Sequence, residues 1–379
     1  MKINLTKLSS LLLLISIVVP MSTQAAPPTS KEVMEISKRV ADWQIRTFDN
    51  QGQYRASFTF TDTTTTTNHH DLSWPLGALY SGMFELVKVT DSQEYANWLK
   101  EIGDKYDWNL HKRVYHADDH AVGFMYLGMY EKYGKKKMLK PTRKQFDAIM
   151  TSDRADEWHW TWCDALFMAP PVWAKLSEVT GDEKYLEYMH EQYMMTYDKL
   201  WSKDKQLFFR DLKYLTRHEA NGESVFWSRG NGWVYGGLAL MIPTFPEGWE
   251  QTQFYTELFK QLSESLKATQ REDGSWSGGL LGSIEDYPVM ETSGTAFFAY
   301  GLAWGINNGI LDKESYEPTL MAAWQSLVSA VHEDGMLGYV QGIGEAPGRS
   351  SYEATETYGV GAFVAAGSEM YKYIQKFYE

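Results

Sequence analysis

The chain has 379 residues, 44% of them hydrophobic and 15% aromatic, with a formal net charge of −13. An acidic balance of this kind lacks the basic face that phosphate backbones require, which excludes nucleic acid as a partner. Cys163 is the single cysteine, so no intramolecular disulfide can form and stability must come from the core.

Residues 1–25 combine Lys2 and Lys7, an apolar run over 11–19 and small residues before Ala25, the layout of a secretory leader. The run is too short to span a bilayer. We therefore expect export, to the periplasm in preference to the medium, with no membrane association after cleavage. Residues 26–379 are expected to form one domain.

Val33, Ile36, Val40 and Trp43 recur at helical spacing, predicting an amphipathic helix near 31–46. The polar run TDTTTTT at 61–67 predicts a rim loop. LSWPLGALYSGM, with its start near Trp74, is of another kind: Gly, Ala and Ser mixed with bulky aromatics, the composition of a helix packed on all sides. The same kind returns in DDHAVGFMYLGMYEKYG, CDALFMAPPVWAKL, RGNGWVYGGLALMI, ETSGTAFFAYGLAWGI and ETYGVGAFVAAGSEM. Between these lie further amphipathic patterns near 91–106, 141–150, 183–199, 252–268 and 314–331. VKVTDSQEYANW and SEVTGDEKYLEY look like hairpin joints, with Asp91 and Asp182 suited to cap the next helix. Buried helices alternating with amphipathic ones predict a closed double ring, an all-α (α/α)6 barrel, because no single hairpin can bury its inner helix alone.

Polar residues cluster at one end of the inner elements: Asp119, His120, Asp164, Arg229, Asn231, Glu291, Thr292, Glu356 and Thr357. If the inner helices run alike, these converge on one mouth. Asp164 stands out, lying between Trp162 and Phe167. Helix capping would explain an Asp there but not its aromatic setting. A desolvated carboxyl is driven towards its neutral form and becomes a candidate general acid. Asp118-Asp119-His120, one repeat earlier, supplies a partner carboxylate. FWSRGNGW places Arg229 between Trp227 and Trp233, an anion clamp with a stacking platform or, equally, an Arg packed on aromatic faces. No spacing of His and Cys suits a metal, and no glycine-rich phosphate loop follows a strand, so neither metal nor cofactor is expected.

Taken together and in order, DDHAVGFMYLGMYEKYG, WCDALFMAPPVWAKLSEVTGD, FWSRGNGWVYGGLA and ETSGTAFFAYGLAWGINNG resemble glycoside hydrolase family 105, the unsaturated rhamnogalacturonyl hydrolases, which are relatives of the family 88 unsaturated glucuronyl hydrolases. The resemblance runs over about residues 31–375 and implies the (α/α)6 barrel and an unusual reaction. Polysaccharide lyases leave a 4,5-unsaturated uronic acid at the non-reducing end, and the family hydrates that double bond. One Asp protonates C4 and takes a proton from the water that adds at C5; the resulting hemiketal opens and frees the next sugar. By motif that Asp is Asp164, assisted by Asp119, with His120 beside it. The resemblance places Arg229 and Trp233 along the sugar, and we group Trp74, Trp162, Trp227, Asn231, Thr292 and Tyr358 with them as substrate-binding candidates. The implied partners are unsaturated uronyl disaccharides and short oligosaccharides. LFFRDLKY stands where pectin-type members carry a His-containing segment, and its Arg210 suits a sulfated neighbour such as the rhamnose sulfate of ulvan. A glycosidase acting on saturated sugars through a carboxylate pair is the alternative, and a sugar receptor without turnover is a third reading.

Overall fold

The computed structural model describes residues 26–55 and 67–379. The leader and all but the last residue of the threonine run lie outside the described residues.

Six outer helices, α1 (Ser30–Arg46), α3 (Gln93–Lys105), α5 (Lys136–Met150), α8 (Lys184–Leu200), α10 (Thr252–Ala268) and α12 (Lys313–Ser329), alternate with an inner ring. The inner ring comprises α2 (Trp74–Thr90), α4 (Gly123–Tyr133), the pair α6 (Ala165–Met168) and α7 (Pro170–Thr180), α9 (Ser228–Met241), α11 (Thr292–Asn307) and α13 (Thr357–Phe377). This is the expected (α/α)6 barrel. Every residue of α11 from Thr292 to Ile306 is buried, as the mixture of small and aromatic residues predicted, whereas α1 and α3 bury only one face.

Small residues set how tightly the ring closes. A Cβ on Gly82 of α2 would lie 1.9 Å from the Gly361 carbonyl oxygen of α13, so the two backbones meet directly. Gly82→Ala should therefore destabilise the barrel by about 1–3 kcal/mol or more, measured by urea unfolding. The start of α1 is tied to the last residue as well: the Ser30 hydroxyl donates to Glu379 Oε2 over 2.6 Å.

Three local expectations are corrected. CDALFMAPPVWAKL is not one helix, because Pro170 and Pro171 lack the N–H groups that would bond back to the preceding turn; the chain breaks between α6 and α7. Asp91 adopts a left-handed conformation (φ 49°) and ends α2, while Ser92 accepts from Tyr95 N and caps α3. Asp182 does not cap either: its carboxylate accepts from Lys184 N and pairs with the Lys184 ammonium at 3.1 Å, and α8 starts after Glu183 without a side-chain cap.

Candidate active site

The inner helices all begin at one mouth, and the residues just before them form its floor. Asp164 immediately precedes α6, yet its side chain makes no capping hydrogen bond. The residue is 7% exposed. Burial pushes its pKa up, opposed by the charges of Arg210 and Arg229. The Cys163 thiol is its one hydrogen-bond donor among the described side chains, at 3.7 Å.

Arg210 reaches the site through backbone pairing. Strands β1 (Trp201–Ser202) and β2 (Leu207–Phe208) form a short antiparallel hairpin, and the chain beyond it bridges Trp162 to Asp211. Cys163 N donates to the Arg210 carbonyl over 2.8 Å. These contacts place Arg210 Nε 3.4 Å from Asp164 Oδ2, while its Nη1 bonds Asp211 at 2.6 Å. Asn231 anchors the hairpin from below: its amide accepts from Phe208 N and donates to Phe208 O, and it is fully buried.

Asp118 and Asp119 lie in different settings. Asp119, in the turn Ala117–His120, accepts from Arg113 N at 2.7 Å and from the Arg113 guanidinium at 2.6–3.1 Å. Burial alone would raise its pKa, but Arg113 outweighs burial and holds the carboxylate below its ordinary range. Asp118 instead faces the mouth, lining a cavity of about 440 Å³ with His116, Trp162 and Arg210. Burial, together with the nearby negative charges of Asp164 and Asp119, pushes Asp118 up to about 7 against the opposition of Arg113. Asp118 is thus the member of the pair that lines the cavity, near enough to Asp164 to feel its charge, while Asp119 is held by Arg113 in the turn that carries it. His120 points away: it packs on Phe146, bonds the Val114 carbonyl at 2.8 Å, and is driven by burial to about 4. It is a neutral core histidine and not a mouth residue.

Trp74, Trp233 and Tyr358 form the aromatic centre of the barrel. Trp74 stacks on Tyr358 with centroids 5.2 Å apart, and Trp233 packs against both of them and Phe167. Trp162 lies at the rim, 4.8 Å from the His116 ring. Arg229 is fully buried between the Trp227 and Tyr358 rings, and donates to the carbonyls of Gln341 and Gly342 at 3.0 Å. Trp227 Nε1 and the Tyr358 hydroxyl also bond Gln341, so these three side chains together clamp the 341–342 segment. Thr292 is likewise committed, donating to the Gly338 carbonyl. Among the described residues, no group of three or more His, Cys, Asp or Glu side chains is arranged to hold a metal.

Sequence reasoning singled out Asp164, Arg210 and the aromatic centre but missed His116, Lys213 and Glu345. Glu345 Oε2 lies 3.6 Å from Arg210 and 3.7 Å from Lys213 at the cavity rim. No periodicity marks these loop residues; only the basic run HKR before ADDH hinted that the Asp pair had a cationic partner.

A family model described as Glycosyl Hydrolase Family 88 matches residues 36–374. The chain belongs to this family. As a family 88 member it is a glycoside hydrolase. It is 40% identical over 320 residues to an unsaturated 3S-rhamnoglycuronyl hydrolase of Formosa agariphila, covering 79% of this chain and 84% of that one. A protein of the same description from an Alteromonas strain is 34% identical, covering 92% and 87%. A solved family 88 structure from Bacteroides vulgatus superposes with a TM-score of 0.81 at 28% identity, covering 91% of this chain and all of that one. The family 88 assignment agrees with the barrel and with the resemblance to the family 88 and 105 hydrolases.

Proposed function

We propose that this family 88 enzyme removes a 4,5-unsaturated uronic acid from the non-reducing end of lyase-generated oligosaccharides by hydrating the double bond. The observation that carries the reading is Asp164: a buried carboxyl with a raised pKa, free of any capping duty, at the mouth of an aromatic-centred barrel. Burial favours the protonated form of such a group, which can deliver its proton to C4 and then take one from the water attacking C5. Asp118 assists. Two neighbouring carboxyls in a buried site do not both ionise readily, so Asp118 helps keep a proton on the pair. Arg210 and the buried charge of Arg229 limit the shift, so that Asp164 can also act as a base after giving up its proton. Trp74, partly exposed and backed by the buried Trp233, supplies apolar surface for a flat, unsaturated ring.

Incubation with an unsaturated uronyl disaccharide tests the proposal, since hydration destroys the near-ultraviolet chromophore of the conjugated enol acid. Persistent absorbance with both glucuronyl- and galacturonyl-derived substrates would overturn it.

The sugar that follows belongs to the same proposal: a rhamnose, of rhamnogalacturonan or ulvan type, with ulvan favoured. Two curated relatives are described as acting on 3S-rhamnoglycuronyl substrates. At the rim of this chain, Arg210 and Lys213 both lie close to the exposed Glu345 carboxylate, an internal anion that a sulfate group can replace. Lys213→Ala should raise KM severalfold for a sulfated disaccharide and leave kcat unchanged, with no change on the unsulfated analogue. Steady-state kinetics on the two substrates check this. Export to the periplasm is also proposed, on the leader over 1–25, and cell fractionation tests it.

A further inference from the structure

Three carboxylates share Arg210: its Nη1 bonds Asp211 at 2.6 Å and lies 3.6 Å from Glu345 Oε2, while its Nε is 3.4 Å from Asp164 Oδ2. Lys213 Nζ is 3.7 Å from the same Glu345 oxygen, its one ion pair among the described residues. Both cations line the mouth cavity of about 440 Å³. Glu345 faces them together, yet stays beyond hydrogen-bond distance of each.

The backbone that carries Glu345 is fixed. Gln341 is 4% exposed and uses every polar group it has. Its N–H donates to Glu291 Oε1 at 3.1 Å, and its carbonyl accepts from Arg229 Nη1 at 3.0 Å. Its side-chain oxygen accepts from Trp227 Nε1 at 3.0 Å, and its side-chain amide donates to the Ala346 carbonyl at 2.8 Å. That last bond closes 341–346 into a loop, with Glu345 beside the tie. A tether of this kind keeps a carboxylate near the two cations at high effective concentration. The side chain itself is half exposed and turns into water without obstruction.

A tethered but weakly held anion is one that another anion displaces. Exposed ion pairs contribute little, and both cations keep donors that Glu345 does not take up. A sulfate ester, with three terminal oxygens, can bond Arg210 and Lys213 at the same time.

We propose that Glu345 is a specificity-determining residue: a place-holding carboxylate, carried on the loop pinned by Gln341, that the sulfate of the substrate's second sugar displaces from Arg210 and Lys213. The proposal rests on the reading of that sugar given above and adds two consequences to it. Glu345 penalises the sulfated substrate alone, because a neutral second sugar leaves the carboxylate where it is. The exchange also keeps the charge of Arg210 offset, by carboxylate or by sulfate, so Asp164 meets the same field in either complex. When the sulfated sugar leaves, Glu345 takes its place again.

Titration of the whole protein with sodium sulfate, followed by two-dimensional NMR at an ionic strength held constant with sodium chloride, tests this without requiring turnover. Glu345→Gln removes the place-holder and Lys213→Ala removes one cation. Glu257→Gln, at a half-exposed carboxylate on the outer helix α10, controls for the change in net charge. Glu345→Gln should bind sulfate at least about threefold more tightly than wild type, and Lys213→Ala at least about threefold more weakly. The kcat/KM ratio of sulfated over unsulfated disaccharide should rise by a similar factor in Glu345→Gln. Equal sulfate affinity in wild type and Glu345→Gln, or the same tightening in Glu257→Gln, would overturn the proposal. Tighter sulfate binding by Glu345→Gln without turnover of any unsaturated disaccharide by the wild type would overturn the reaction proposed above and leave the place-holder standing.

Discussion

Replacing Asp164 with Asn is expected to lower kcat on an unsaturated uronyl disaccharide by at least about 10³-fold, since one positioned proton-transfer group contributes roughly 10²–10⁴-fold and here a single carboxyl serves both transfers. KM should change little, because the amide keeps the size of the carboxyl and leaves Arg210 and the aromatic centre in place. The fold should survive. Asp164 caps no helix, and an amide in its buried place avoids the cost of a desolvated charge. Asp119→Asn provides the contrast: it removes the charge that Arg113 grips and loosens the turn carrying Asp118. Its activity loss should be smaller and accompanied by a lower thermal midpoint. Steady-state kinetics and thermal unfolding of the two variants separate a residue that carries protons from one that holds a turn.

The second large effect concerns pH. Burial raises Asp118 from its ordinary value of 3.8 to about 7, and raises Asp164 as well. A carboxyl with a raised folded pKa binds its proton more tightly in the native state than in the unfolded chain. Its contribution to stability is therefore greatest below 3.8 and declines as pH rises from 3.8 to about 7. Above that window the loss is complete, on the order of 2 kcal/mol once relaxation of the site is allowed for. Activity follows the same proton. With the pair deprotonated no acid remains to protonate C4, so kcat/KM should fall about tenfold per pH unit on the alkaline side. Asp118→Asn removes the negative neighbour of Asp164 and makes its ionisation easier. The alkaline limb should then move to lower pH, and the decline in thermal midpoint between pH 3.8 and about 7 should flatten. A pH–rate profile and a pH series of unfolding curves measure both.

These consequences rest on distinctions that differ in how openly the sequence displays them. The alternation of α2, α4, α9, α11 and α13 with amphipathic partners is plain, because an all-round buried helix must be built of small and aromatic residues and an outer helix must keep a wet face. Asp164 is legible for the same reason: a carboxylate set among tryptophans contradicts its surroundings. The choice between Asp118 and Asp119 is hidden. Adjacent residues in a tight turn point in different directions, and which one meets Arg113 depends on the path of the chain over residues 111–120. Arg229 is hidden in another way. Its short-range setting fits a ligand clamp and a structural cation equally, and only the return of Gln341 and Gly342, more than a hundred residues later, shows that its Nη groups bond the backbone. The break before α7 was visible as Pro170-Pro171, but aromatic composition argued for continuity, and the missing N–H groups decide the matter.

In the proposed reaction water adds across the C4–C5 double bond and not at the anomeric carbon. Turnover of an unsaturated uronyl disaccharide in D2O, followed by NMR during the first turnovers, tests it most directly. One deuterium is expected at C4 of the released uronate, with loss of the enol-acid chromophore at the same rate as release of the second sugar. Release of that sugar with the double bond intact and C4 unlabelled would contradict it.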